Sequence, residues 1–203
     1  IETGDRVLDS SQINMSNDFF NIPPVRLYLK DEKNEFERKL KEFREHRLNE
    51  LYSNRYELNG ELVNIHSNSD LKLLVGTIQF ATIENTKKAI DIISDSYNSG
   101  VWSKSNPGFR SSIILKAASI MTIERLELAS LIVYEAGKSV LEALGDVDEA
   151  IDFLSYYAKE EMKFFELNKR AISRGPIAII APWNFPLAIP CGMTVAALVA
   201  GNT

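Results

Sequence analysis

Cysteine is almost absent from this chain: Cys191 is the one thiol in 203 residues. An internal disulfide is therefore excluded, and a single thiol fits a reducing compartment. Histidine is equally scarce, with His46 on a charge-rich segment and His66 near a predicted strand end. Two imidazoles so placed, with no second thiol, make no metal site. No window of about 18 apolar residues occurs, so no membrane-spanning helix is expected. Neither G-x-G-x-x-G nor a Walker-type run is present, so the chain carries no phosphate loop of its own. Positive charge is not in excess: 23 Lys and Arg against 28 Asp and Glu leave a net charge of −5. That balance argues against nucleic acid or an anionic membrane surface as a partner. No signal-peptide pattern opens the chain. With no Met at position 1, Ile1 is expected to be internal to a longer polypeptide.

What is present has ordinary globular composition, 45% apolar and 25% charged, arranged mostly in helical periods. Residues 1–17 are polar and aperiodic, the pattern of a tail or linker. Phe19-Phe20 and Ile22-Pro23-Pro24-Val25 read as an extended arm laid across another surface. Phe36, Leu40, Phe43 and Leu51 fall near helical spacing and predict an amphipathic helix from Asn34 to Tyr52. Asn59-Gly60, between Tyr56-Glu57-Leu58 and Glu61-Leu62-Val63, predicts a β-hairpin, and a further strand is expected from Lys72 to Phe80. Thr82 caps a helix that has Glu84 in its first turn, Ile83, Ile90, Ile93 and Tyr97 on one face, and Gly100 at its end. Pro107 opens the next helix, Gly108 to Thr122, with Phe109, Ile113 and Ile120 expected inward. Another carries Leu126, Ile132 and Val133 as far as Gly137-Lys138. Asp146 with Glu149 resembles a capping box and predicts the start of a long helix, with Val147, Ile151, Leu154, Ala158 and Phe165 along one side.

The chain ends differently. Ile177 to Ile180 is a β-branched apolar run that predicts a buried strand, Pro182 to Pro186 a tight turn, and Pro186 to Ala200 a helix apolar all round. One strand–turn–helix unit cannot make a parallel sheet. Leaving four or five large side chains of that helix in water would forfeit on the order of 1.5–3 kcal/mol each. The expectation is a piece of a larger protein, or one completed by a partner.

Among the residues with chemistry, Asn184 has two readings. It is a turn-former, or an uncharged donor to a developing oxyanion at the mouth of a helix, a role worth roughly 3–4 kcal/mol. Cys191 lies within the apolar helix with no His, Lys or Arg beside it, which makes it a packing residue rather than a nucleophile. Glu135 and Glu142 flank Gly137-Lys138, and spacing alone leaves both on a solvated helix surface.

The run Ile180-Ala-Pro-Trp-Asn-Phe-Pro-Leu-Ala-Ile189, followed by Gly201-Asn-Thr203, resembles the aldehyde dehydrogenase superfamily. Val133-Tyr-Glu-Ala-Gly-Lys138, Glu142-Ala and Asp146-Val-Asp-Glu-Ala-Ile-Asp-Phe-Leu-Ser-Tyr-Tyr-Ala158 narrow the likeness to the 1-pyrroline-5-carboxylate dehydrogenase (L-glutamate γ-semialdehyde dehydrogenase) type. That type occurs alone or as the dehydrogenase half of proline utilization A. Gly76-Thr77 to Thr82, Trp102 and Arg110 also fit, and the likeness covers Asp18 to Thr203.

The resemblance implies an α/β fold: the helix-rich N-terminal part of a Rossmann-like cofactor-binding domain, with a β-hairpin and the first strand–turn–helix of its parallel sheet. It divides the chain into an arm over residues 1–33 and an incomplete NAD-binding domain over 34–203. It also implies NAD-dependent oxidation of an aldehyde through a thiohemiacetal and a thioester, in proline catabolism. Asn184 matches the catalytic amide that holds the substrate oxyanion with a backbone N–H. Ala181, Pro182 and Trp183 match cofactor-binding positions beside the nicotinamide riboside. Glu142 matches the glutamate near the substrate's α-amino group, and Phe185 an aromatic residue on its aliphatic part. The family's catalytic cysteine, general-base glutamate, ribose lysine and Gly-rich nucleotide turn are expected beyond Thr203, so this chain alone is expected to be inactive. The link from Phe165 to Pro176 is shorter than the family's usual excursion toward a neighbouring subunit. The remaining expectations are a homo-oligomer in the cytoplasm, or in the mitochondrial matrix if the source is eukaryotic. Two other readings stand beside this one: an aldehyde dehydrogenase with another substrate, and a non-catalytic fragment acting through its helices as an assembly module.

Overall fold

Helix α5 (Val140–Leu167) is the axis on which the other helices lie. In the computed structural model, which describes residues 18–48, 58–168 and 170–203, its buried residues Ala143, Leu144, Val147, Ala150, Ile151, Leu154 and Ala158 form one continuous stripe. Their spacing of three, four and seven is that of one helical face. Against this stripe pack Ile114, Leu115 and Ala118 of α3 (Pro107–Ile123), Ala129 and Ile132 of α4 (Arg125–Ala136), and Val195 and Val199 of α6 (Ala188–Val199). At about 1.5–3 kcal/mol for each large side chain removed from water, this shared stripe is the main cohesive term.

Helix α1 (Lys30–His46) begins four residues before the expected Asn34 and packs on α4 through Phe36 and Phe43. Leu51 and the predicted end at Tyr52 fall outside the described residues, as does the tail at 1–17. The arm is laid across another surface as expected, and that surface is α5. The Asn21 side-chain amide and the Ile22 N–H both donate to the Asp152 carboxylate, at 2.7 and 2.8 Å. Ile22, Val25 and Leu27 pack on the core, and Phe19 meets Tyr156 edge-on.

An antiparallel hairpin follows Asn59-Gly60, while the strand expected before that pair falls mostly outside the described residues. Strands β1 (Leu62–His66) and β2 (Leu74–Gln79) pair antiparallel, Leu62 opposite Gln79, and the connection is residues 67–73. There Asp70 organises the turn, accepting from Lys72 N–H through its side chain and from Leu73 N–H through its carbonyl. Tyr56 and Glu57 lie outside the described residues. Gly60 has a different reason to be glycine. A Cβ there would sit 2.1 Å from the Phe80 carbonyl oxygen, so the residue permits close approach to the end of β2.

Helix α2 (Ile83–Ser99) has the expected cap, Thr82 with Asn85 completing a reciprocal pair, and ends at Gly100 with φ +79°. Its apolar face finds little cover in this chain: Ile83 is 78% exposed. Helix α3 turns the opposite face inward from the one expected. Phe109, Ile113 and Ile120 are exposed, while Arg110, Ser111, Ile114, Leu115 and Ala118 are buried. The helix is apolar on both sides, so periodicity could not choose; a buried polar network chose. Arg110 pairs with Glu161 of α5 at 2.6 Å, donates to the Val199 carbonyl at the end of α6 at 2.7 Å, and donates to Ser105 O at 2.6 Å. Ser111 Oγ donates to the second Glu161 oxygen. Burial pushes the Glu161 carboxyl above its usual range, and Arg110 opposes that shift.

The run at Ile177–Ile180 is the other correction of placement. It forms no strand among the described residues, and Ile180 is 85% exposed rather than buried. A strand becomes a strand, and becomes buried, by pairing and covering, which a local sequence cannot supply. One rung of pairing does exist. Ile177 N–H donates to Thr203 O at 2.7 Å and Thr203 N–H to Gly175 O at 3.3 Å, the slanted pattern of a parallel ladder. The described residues are thus helix-rich with one two-stranded antiparallel sheet, as an incomplete α/β domain is. No helix among the described residues is long and apolar enough to cross a membrane.

Candidate active-site turn

The turn at residues 183–187 leads directly into α6, whose first residue is Ala188 rather than the expected Pro186. Leu187, at the cap position, offers no side-chain acceptor to the free N–H groups of the first turn. The acceptor comes from another helix: Asp146 Oδ1 of α5 takes the Ala188 N–H at 2.7 Å. A carboxylate at a helix N-terminus is also favoured by the helix dipole.

This use of Asp146 corrects its expected role. Helix α5 does not start there; it starts at Val140 under a capping box made by Ser139 and Glu142. Ser139 Oγ donates to Glu142 Oε2 at 2.8 Å, and Glu142 N–H donates back to Ser139 Oγ. Asp146 lies within the helix, its side chain fully buried, paired with Lys138 Nζ at 2.9 Å. The signal for it was visible: a carboxylate in the same phase as the core residues Ala143, Val147 and Ala150. A charge there is retained only with partners.

Lys138 is placed by a backbone device. Gly137 closes α4 with φ +68°, and Asn68 of the β1–β2 connection packs on it and donates to the Glu135 carbonyl at 3.3 Å. The ammonium of Lys138 thereby reaches the turn, donating to the main-chain oxygen of Asn184 at 3.2 Å and lying 4.6 Å from the centroid of the Phe185 ring.

Around Lys138 the site residues gather. Asn184 and Phe185 touch it directly. Glu142 is close enough that the lysine, after the larger effect of its two Ser139 hydrogen bonds, helps hold its carboxyl below the usual range. Asn184 and Glu142 are exposed, and Phe185 is 39% exposed. Pro182 and Trp183 at the start of the same turn are exposed, Trp183 at 87%, and Ala181 before them is half-buried. Cys191 is not part of this group. It is half-buried in α6 with its sulfur 3.9 Å from the Ala150 carbonyl, and burial pushes its thiol up to about 11. Among the described residues no cluster of three His, Cys, Asp or Glu side chains could hold a metal. Lys138 and Asp146 are what reasoning from sequence missed.

Comparison with known proteins shows what the chain as a whole is similar to. The profile of the aldehyde dehydrogenase family matches residues 62–203. A 1-pyrroline-5-carboxylate dehydrogenase of Bacillus thuringiensis (strain Al Hakam) is 40% identical over 141 residues, covering 64% of this chain and 27% of its own length. The chain therefore spans about a quarter of the length of the curated relatives it matches. Among solved structures, proline utilization A from Bdellovibrio bacteriovorus superposes with a TM-score of 0.82 and 33% identity, covering 93% of this chain and 21% of that one. A 1-pyrroline-5-carboxylate dehydrogenase from Thermus, solved with bound NAD, gives 0.81 and 28% identity over 92% of this chain and 39% of that one. The chain belongs to the aldehyde dehydrogenase family.

Proposed function

We propose that this chain is the N-terminal part of an NAD-dependent dehydrogenase that oxidises L-glutamate γ-semialdehyde, the open form of 1-pyrroline-5-carboxylate, to L-glutamate. The observation that carries the reading is the gathering of Asn184, Phe185 and Glu142 about Lys138, on a turn at the N-terminus of α6. The names of the 40%-identical relatives support the substrate class.

In this reading the Asn184 amide donates to the aldehyde oxygen as negative charge develops on it. It is a neutral donor, so no proton changes hands there, and the α6 N-terminus adds a favourable field. Phe185 presents an apolar face to the substrate's methylene groups. Glu142, which is exposed, meets the α-ammonium group: both Ser139 donors fall on Oε2, so Oε1 takes part in neither of those bonds. The half-buried Ala181 and the exposed Pro182 and Trp183 offer a surface to the nicotinamide riboside, and NAD supplies the hydride acceptor when bound. The nucleophile and general base come from the remainder of the polypeptide, since Cys191, protonated and packed in α6, cannot serve. That remainder and further copies of the chain are the partners that would cover Ile180, Ile83 and Phe109. Residues 34–203 then belong to the NAD-binding domain and 1–33 form its arm, in a cytoplasmic enzyme.

Replacing Asn184 by Ala in the complete enzyme is expected to lower kcat by about 10²–10³-fold with little change in KM. Glu142→Ala is expected to raise KM for the amino-acid aldehyde while sparing an unsubstituted aldehyde of the same length. Equal effects on both aldehydes would refute the substrate assignment. Turnover of L-glutamate γ-semialdehyde by this chain alone would refute the division of labour.

A further inference from the structure

Two charged side chains outside the proposed chemistry meet behind the turn. Lys138 Nζ holds the main-chain oxygen of Asn184 at 3.2 Å, and Asp146 Oδ1 holds the Ala188 N–H at 2.7 Å. The two are joined to each other at 2.9 Å. Residues 184–188 are therefore gripped at both ends by one ion pair rooted at the α4–α5 junction. Exposed ion pairs contribute little, but here the Asp146 side chain is fully buried and that of Lys138 is 16% exposed. Removing either leaves the other as a charge with poor access to water.

A buried carboxylate on the core face of α5 has no packing rationale; an apolar residue would pack there at less cost. Its use lies in the turn. An oxyanion donor accelerates a reaction only if it is already aimed when charge develops. Packing cannot aim this one, because Asn184 is exposed and Trp183 is 87% exposed. We propose that Lys138 and Asp146 are positioning residues, a buried ion pair that latches the turn to the α4–α5 junction and so sets the direction of the Asn184 amide. The proposal rests on the oxyanion role given to Asn184 above.

The test uses the complete dehydrogenase with Lys138→Met, Lys138→Arg, Asp146→Asn and, as comparator, Asn184→Ala. Two readouts are taken: steady-state kinetics, and hydrogen exchange of the amides at 184–189 in the ligand-free protein. Lys138→Met is expected to raise exchange at Ala188 and to lower kcat by about 10- to 100-fold, with little change in either KM. Lys138→Arg, which keeps the cation, is expected to restore both. Asp146→Asn, which keeps an acceptor for Ala188 but loses the charge, is expected to fall between, and it decides the matter if Lys138→Met does not fold. Wild-type exchange and kcat in Lys138→Met overturn the proposal. So does a fall in kcat with unchanged exchange, since Lys138 would then act on the reaction directly, and so does raised exchange with unchanged kcat. Failure of the arginine rescue overturns the ion-pair assignment. If Asn184→Ala keeps wild-type kcat, it is the oxyanion role that fails, and the exchange data still decide whether the latch exists.

Discussion

Glu142, proposed above to meet the substrate's ammonium group, is shown by the geometry to cap a helix. Oε2 takes both the Ser139 N–H and the Ser139 hydroxyl, at 3.3 and 2.8 Å, and closes the first turn of α5. Those two bonds hold its carboxyl below the usual range, the hydroxyl contributing most. A carboxylate whose folded value is depressed contributes stability that is present above its unfolded value and lost as pH falls through the folded one. Protection of the amides at 140–143, corrected for intrinsic exchange, is therefore expected to fall as pH drops through and below the ordinary carboxylate range. Glu142→Gln is expected to remove most of that dependence, and an unchanged pH profile in that variant would assign the effect elsewhere. Cys191 is the counterexample at the same scale. It is the one thiol of this chain, and burial without a cationic neighbour pushes it up to about 11, away from the thiolate a nucleophile needs.

Helices α5 and α6 meet more closely than their large side chains allow unaided. Gly192 makes room: a Cβ at that position would lie 2.7 Å from the Phe153 ring. Gly192→Ala is expected to destabilise by about 1–3 kcal/mol through overpacking, despite the better helix propensity of alanine. A urea-unfolding midpoint equal to wild type would mean that Phe153 turns aside at no cost. The consequence reaches the site, because α6 carries the turn. A shift of α6 away from α5 lengthens the Asp146–Ala188 bond that starts the helix, so the same substitution is expected to lower kcat in the complete enzyme.

Across the whole molecule, three helices are tied at one point. Arg110 of α3 bonds Glu161 of α5 and the Val199 carbonyl ending α6, all of them buried. Arg110→Met leaves Glu161 buried and unpaired, and is expected to cost about 3–5 kcal/mol. Replacing both residues by apolar ones of similar volume is expected to cost much less, and denaturant unfolding of the single and double variants distinguishes the two cases. Far from the turn, this network holds the opposite end of α6, so α6 is pinned by Asp146 at its start and by Arg110 at its finish.

Much of this was legible in residue order. Local rules determined the Thr82 cap, the glycine stops at Gly100 and Gly137, and the long stripe of α5, because each depends on neighbours a few positions apart. The motif around Asn184 marked the turn and the family. What depended on distant residues was decided by the fold alone. The pairing of β1 with β2 across residues 67–73 was one such case, and the inner face of α3, chosen by Glu161 fifty-one positions away, was another. Asp146 looked like a helix start because capping chemistry is local, but Ser139 took that role seven residues earlier. Its carboxylate was thereby free to cap α6 instead, forty-two positions on, a pairing set by helix packing that no local pattern contains.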